Sequence, residues 1–281
     1  MARYHELNLY RAKLNDIREI MHSMKTLAQM EAHKLTRIIQ QQRALKAQID
    51  NVALDFLHFF PTALSADKIV GKTVLAVGSE RGFCGDFNGK LLQTFQERFA
   101  DDSVQLIAIG NKLQPLVEDR ANTLPLPGAN VTEEIGNLVE LVIKTLAEQT
   151  QTGTLYAVFH NEKQMEPAIE KLLPAFTEMA ATENVHRYPP ELNLPPDDFM
   201  LELTDHALQH ALQRIFTVSL MAENQQRIHH LENATQHLDQ KTEQLQKRMN
   251  VLRQEAIIEE IEVILLNQAN LTTPEEAYSG S

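Results

Sequence analysis

Residues that break helices are confined to the middle of this chain. Of 281 residues, those from Met1 to Phe60 and from Asp197 to Asn270 include neither glycine nor proline. Nine of the ten glycines and ten of the eleven prolines lie between Pro61 and Pro196. Glycine and proline are the strongest punctuation of regular backbone. Each flank is therefore free to form one unbroken helix, and the middle reads as an ordinary compact domain. The expected segments are an N-terminal coiled-coil helix over 1–60, an α/β domain over 61–196, a C-terminal coiled-coil helix over 197–270 and a tail over 271–281.

The first flank carries a regular apolar stripe. Leu7, Tyr10, Leu14, Ile17, Met21, Met24 and Ala28 alternate spacings of three and four, and Leu35, Ile38, Leu45, Ile49, Val52, Phe56 and Phe59 continue it. Glu31 and Gln42 interrupt the series. A stripe sustained over about seven heptads is a coiled-coil seam. At 1.5 Å per residue such a helix is roughly 80 Å long. The second flank has the same character with slips of phase. Leu208, Ala211, Ile215 and Val218 make one phase, Ile228 through Leu231, Leu238, Leu245, Met249 and Ala256 a second, and Ile257, Ile261 and Ile264 a third. Slips of this kind locally overwind or unwind a supercoil. A helix of about 70 residues spans about 105 Å, so most of it is expected to project from the middle domain.

Charge indicates what the helices face. Residues 1–60 carry nine Lys/Arg and six Asp/Glu, whereas residues 197–281 carry six and fourteen. Two seamed helices of opposite charge most simply pair with each other, antiparallel because the middle domain returns the chain. The alternative is that each finds an external partner.

The middle alternates strand and helix signals. Val74–Val77, Val104–Ile109 and Leu155–Phe159 are short runs rich in branched residues, and Phe87–Phe99 and Val131–Leu146 have helical spacing. That alternation predicts a Rossmann-like α/β layer with a parallel sheet. The fold class is thus α/β plus long α. Pro189, Pro190, Pro195 and Pro196 mark an extended linker into the second long helix.

Several function classes are disfavoured. No apolar run reaches the eighteen residues of a membrane span. Met1–Ile20 is charged throughout, unlike a secretory signal, and Glu6, Asp16 and Glu19 argue against a transit peptide. The lone Cys84 leaves no internal disulfide or multi-cysteine zinc site and suits a reduced cytosol. A net charge of −12 disfavours nucleic acid as a partner.

Local motifs are weak. Ala66–Thr73 fits a relaxed phosphate-loop pattern, but a long helix precedes it and an apolar strand follows, the reverse of the required context. Gly78-Ser-Glu-Arg-Gly-Phe-Cys-Gly-Asp-Phe-Asn88 leads from a strand into a helix, with Asp86 or Asn88 placed to cap it. It lacks dinucleotide-binding spacing, and no histidine stands near Cys84 in sequence. A structural turn is the stronger reading of this loop. His206 and His210 stand four apart, followed by His229, His230 and His237, but no glutamate follows His206 as a zinc-protease helix requires. All five are expected on solvated helix positions. No catalytic residues, metal ligands or cofactor site are expected.

The end of the second helix is unusual. Ala256-Ile-Ile-Glu-Glu-Ile-Glu-Val-Ile-Leu-Leu266 is apolar on more than one face. A helix apolar all round is normally buried, and a single pairing helix covers only one side. The segment is expected to sit inside something else.

Four blocks, taken in order, resemble the gamma subunits of F-type ATP synthases, the central rotor shaft. His22-Ser-Met24 with Leu27-Ala28 looks like the family's lysine-alanine-methionine block and the valine-alanine after it. Glu80-Arg-Gly-Phe-Cys-Gly-Asp86 with Asn88 looks like its Asp-Arg-Gly-Leu-Cys-Gly-Gly loop with Asn. Ala222-Glu223, Arg227-Ile228 and Ala234-Thr235 stand in register with its second-helix pairs. Asn250, Arg253-Gln254, Ile257 and Glu260-Ile261 match its most specific block. Departures include His22 for lysine, Gln236-His237 for Asp-Asn, Ile258 for a hydroxyl residue, and a tail past the family's usual end. They suggest a divergent bacterial member.

The resemblance implies a non-catalytic subunit whose paired helices pass through a ring of alpha and beta nucleotide-binding subunits. Its α/β domain would rest on the c subunits of the membrane rotor ring, beside an epsilon-type subunit, peripheral to the cytoplasmic face of the bacterial inner membrane. Rotation of the shaft would couple ion flow to nucleotide affinity. By the same resemblance, Arg253 and Gln254 would hold loops of the catalytic subunits, with Ile257 and Ile261 beside them. Met24 and Arg227 would face their moving lever. Two other classes remain: a stand-alone coiled-coil adaptor, and a small α/β enzyme using Cys84 or the Arg81 loop.

Overall fold

A computed structural model describes residues 2–63, 71–99, 101, 103–148, 153–161, 166–177 and 188–271. The Ala66–Val70 part of the phosphate-loop pattern and residues 272–281 of the tail lie outside the described residues. In chain order the elements are α1 (Ala2–Phe59), β1 (Lys72–Val77), α2 (Phe87–Arg98), β2 (Gln105–Ile109), β3 (Thr123–Leu126), α3 (Ile135–Glu148), β4 (Thr154–His160), β5 (Pro167–Leu173) and α4 (Pro196–Leu271). The two flanks do form single helices, and α4 begins at the last proline of the linker. The chain separates into two compact units, residues 25–230 and residues 1–24 with 231–281. The division cuts both long helices part-way, because each spends part of its length packed on the sheet.

In the larger unit the sheet order is β3-β2-β1-β4-β5. Strands β1 to β4 are parallel to their neighbours, and β5 is antiparallel to β4. The expectation of a parallel sheet therefore holds for four strands. The six residues between His160 and Pro167 are too few for the crossover that a parallel β5 needs, which takes a dozen or more. Strand β3 escapes a reading by pattern because it is short and holds Pro125, which an edge position tolerates.

Alternation along the strands divides the core. Val74 and Ala76 of β1 join Leu106 and Ala108 of β2 beneath Leu91 and Phe95 of α2. Leu75 and Val77 face the other side, with Leu138 and Val142 of α3. That second face also receives Leu35 and Ile39 of α1 and Leu212, Ile215 and Phe216 of α4. Ten consecutive residues of α4, Ile215 to Asn224, are buried. A coiled-coil seam buries one stripe, so this stretch is better described as a core helix.

Two interruptions of the α1 stripe are contacts. Glu31 accepts from the Thr132 hydroxyl at 3.1 Å. Gln42 is buried and donates to the Thr217 hydroxyl at 3.0 Å. The stripe also shifts by one residue, so Ile39 is buried where Ile38 was expected, and Ile38 is half-buried. From there α1 packs on a sheet face as well as on a helix.

In the smaller unit α1 and α4 pair antiparallel. The Arg11 guanidinium donates to the Gln246 side chain, and Arg18 Nε lies 2.5 Å from the Asp239 carboxylate. Lys241 stands 5.9 Å above the centre of the Tyr10 ring. Leu14, Leu231 and Met249 are buried, and Leu238, Leu245, Leu252 and Ala256 are half-buried along the same line. This is the second phase of the α4 pattern. The half-exposed Arg18–Asp239 pair contributes little to stability; the apolar seam does most of the holding.

Candidate functional site

In open α/β sheets ligands settle outside the carboxyl ends of the strands, where the strand order reverses. Here that reversal lies between β1 and β4. His160, the last residue of β4, stacks on Phe87 at 3.8 Å between ring centres, and its Nε2 lies 2.8 Å from the Phe87 carbonyl oxygen. Both rings are buried. On the other side of β1, over the ends of β2 and β3, stands the Glu80 carboxylate. It accepts from the backbone N–H of Gly128 at 2.7 Å and of Asn111 at 2.9 Å, and from the Asn111 side-chain amide. Such amides at strand ends commonly hold an anionic ligand. In this chain they hold the chain's own carboxylate. Gly128 eases that approach, because a Cβ there would lie 3.0 Å from Glu80 Oε2, closer than ordinary contact.

The loop after β1 is fastened to α4. Glu223 accepts from the backbone N–H of Glu80 and of Arg81, each at 3.2 Å. Arg227, one turn on, donates to Glu223, to Asn224 Oδ1 at 3.0 Å, to the Gly82 carbonyl at 3.2 Å and to Cys84 Sγ at 3.3 Å. Burial pushes the Glu223 carboxyl above its ordinary value, against the pull of Arg227 and the two amides. Burial, with the Glu223 charge added, pushes the Cys84 thiol up to about 12. A thiol held there is not a thiolate at neutral pH and is a poor nucleophile. The capping expectation is corrected in detail. Asp86 stands at the N-cap of α2 without a side-chain bond, and Asn88 accepts from the Ser79 N–H at 2.9 Å, closing the loop on itself.

The clasp presents one residue outward. Phe83 has φ of 64° and is 50% exposed. A bulky side chain in the left-handed region costs roughly 1–2 kcal/mol. The Glu223 and Arg227 bonds on either side of Phe83 offset that cost.

The proposed contact residues fall into separate places. Arg253 and Gln254 are exposed near the end of α4. Arg253, Ile257 and Ile261 are four apart and share one helix face. Ile257, Ile258 and Ile261 are 48%, 55% and 50% exposed, and Val263 to Leu266 are more exposed still or nearly as much. The register of Arg11 with Gln246 and Arg18 with Asp239 explains this. By that register Ala2 stands level with Glu255, and among the described residues no part of α1 lies beside Ile257 to Leu266. Met24 is half-buried, and Arg227 is 5% exposed within the clasp just described. Its guanidinium holds the Arg81–Cys84 loop.

The histidine expectation is partly corrected. His206, His229, His230 and His237 are exposed, but His210 is buried. It follows Leu203 and precedes Arg214 on the side of α4 that meets α1 and β5. No group of three His, Cys, Asp or Glu suited to a metal occurs among the described residues, and no described helix is long and apolar enough to cross a membrane. Residues that pattern reading missed are Glu80, Asn111, Phe83 and His160. Only the spacing of Glu223 and Arg227, one helical turn apart, hinted at the clasp.

Comparison with known proteins agrees with this architecture. A family model described as ATP synthase matches residues 5–267. The chain is similar to an ATP synthase gamma chain of Clostridium botulinum (strain Hall), 27% identical over 196 residues, 66% of this chain and 68% of that one. It is also similar to one of Leptothrix cholodnii, 22% identical over 92% of this chain and 97% of that one. A solved structure of the Euglena gracilis mitochondrial ATP synthase (OSCP/F1/c-ring) contains a chain of the same fold. Its TM-score is 0.59 at 15% identity, covering 99% of both chains. The strand order, the two helix flanks and the match over nearly the whole sequence agree: this chain belongs to the gamma-subunit family of ATP synthases.

Proposed function

We propose that the chain is the central-stalk rotor subunit of an F-type ATP synthase or ATPase, coupling ion-driven rotation of a membrane ring to nucleotide affinity in a catalytic ring. One observation carries the reading. From Ile257 to Leu266 seven of the ten residues of α4 are large, apolar and exposed, and among the described residues α1 does not cover them. Such a surface is stable only within an enclosing partner. A sleeve formed by alternating alpha and beta nucleotide-binding subunits has the required shape. It tolerates a greasy rod turning inside it, because apolar contacts are not directional.

In this reading the subunit is itself non-catalytic. The amides at the ends of β2 and β3 are taken by the chain's own Glu80, and the Phe87–His160 stack lies at the end of β4. Arg253 and Gln254 hold loops of the catalytic subunits, flanked by Ile257 and Ile261. Met24 lies on the shaft near their lever, and Arg227 acts by setting the Arg81–Cys84 loop rather than by direct contact. The α/β domain rests on the c subunits beside an epsilon-type subunit, peripheral to the cytoplasmic face of a bacterial inner membrane. An asymmetric shaft shows each catalytic subunit a different face, and differential contact is what shifts affinity.

The test is purification of the tagged full chain from native membranes, with every bound subunit identified. Alpha, beta, epsilon-type and c subunits are expected in a nucleotide-hydrolysing complex. A monodisperse chain that carries none of them overturns the proposal in favour of an adaptor.

A further inference from the structure

Within the larger unit a groove of about 410 Å³ runs between α1 and α4, walled by Leu45, Ile49, Val52 and Leu203. His206 and His210 lie on its α4 side. His210 is only 7% exposed, and its ring also closes a second cavity against β5. Its Nε2 is buried with no partner among the described residues. A neutral imidazole has one donor and one acceptor nitrogen, and with its proton on Nδ1 it leaves Nε2 as a bare acceptor. The neighbouring layer is also soft. Gln42 Oε1 has no partner, and the Gln42 side chain is tied to α4 by its single bond to Thr217.

A proton on Nε2 adds both a second N–H and a charge. Neutral amides (Gln42, Gln48, Gln209 and Gln213) could accept the N–H, but the charged groups facing it leave no free carboxylate for the charge. From α1 come Lys46 and Asp50, which pair with each other at 2.5 Å. From α4 come His206 and Arg214, and from β5 Glu170 and Lys171. Glu170 is taken up by Arg214, at 2.5 and 2.6 Å. Both carboxylates are thus engaged, and the cations repel. We propose that His210 is an acid-operated latch: neutral, it lets α1, α4 and β5 close on one another, and protonated, it opens the groove between the two helices.

The sign follows from linkage. Burial holds the His210 imidazole below its ordinary value of 6.5, with Arg214 and Lys46 adding to the effect and the Gln42 carbonyl and Asp50 opposing it. The opened form binds the proton more tightly than the closed one. Closure is therefore at full strength above the ordinary histidine range and weakens as pH falls below about 6.5 toward the depressed value. This latch stands independently of the rotor reading, since every group in it belongs to this chain.

The test uses the full chain. Ring-proton NMR, assigned with His210→Gln, follows the titration of His210. Amide exchange, corrected for intrinsic rate, follows residues 40–53 and 203–214 from pH 7.5 to 5.5. His210 is expected to titrate below 6.5. Protection in both segments should fall by up to about tenfold per pH unit, the limit for one proton, while α2 is unchanged. His210→Gln should flatten the dependence, and His206→Gln, on the exposed side of the groove, should keep it. If His210 titrates at or above 6.5, or if protection holds while its ring takes up the proton, the latch does not exist. Should His210→Gln fail to fold, the ring resonance is assigned through its own backbone signals, and the wild-type titration and exchange decide.

Discussion

Arg227 shows how much one side chain can organise. It reaches a carboxylate, an amide oxygen, a backbone carbonyl and a thiol from a single buried position. Removing it leaves Glu223 buried without its cation. Breaking a buried pair in this way typically costs about 3–5 kcal/mol. Arg227→Ala should lower the urea midpoint accordingly and free the Gly82–Cys84 segment. Alkylation of Cys84 reports that release directly. In the native protein the thiol is buried and pushed up to about 12, so labelling at pH 7.5 should be slow. It should rise to the unfolded rate in urea, and part of that rise should appear in Arg227→Ala without denaturant. Equal labelling of both proteins in buffer would mean that Arg227 does not hold the loop. The pairing of Glu223 with Arg227 was readable from spacing. Their target was not, because strand-end loops have no period to read.

At the scale of elements, α4 changes its environment along its length. Its seam phase from Ile228 to Ala256 is legible because one neighbour imposes one stripe. The stretch Ile215–Asn224 is buried on all sides, and Ile257–Leu266 is exposed although its composition is that of a buried helix. Both are rich in apolar residues, and pattern alone does not distinguish covering by this chain from covering by another. Arg253 belongs to the second region, and neither Glu255 nor Glu260 pairs with it among the described residues. An arginine so placed is free to form charge-assisted bonds to a partner carboxylate. Loss of such a pair across an interface costs about 2–5 kcal/mol. Arg253→Glu should therefore slow ATP hydrolysis and ion transport together in reconstituted vesicles, with the helix content of the isolated chain unchanged. Normal rates in a complex shown to be assembled would place Arg253 in solvent.

For the whole molecule, the long helices are structural members of the α/β layer as well as partners of each other. Leu35 of α1 is fully buried among residues of the sheet and of α4. Leu35→Ala should cost about 2–5 kcal/mol, as truncations of buried leucine do. Leu45→Ala, ten residues on and 47% exposed, should cost much less. Thermal unfolding by circular dichroism compares the two, and equal losses would contradict the packing of α1 on the sheet.

The sequence by itself determined where helices are unbroken, that they carry seams, and that strands and helices alternate between them. These properties reside in local spacing and in the placement of glycine and proline, which act through the backbone of a few residues at a time. Tertiary structure alone decided that β5 runs antiparallel, that Glu80 takes the amides at the ends of β2 and β3, and that His210 turns inward while His206 stays in solvent. Each depends on which distant segment comes to lie alongside. The same residue type at the same helical spacing is solvated or buried according to a neighbour that its own sequence does not encode.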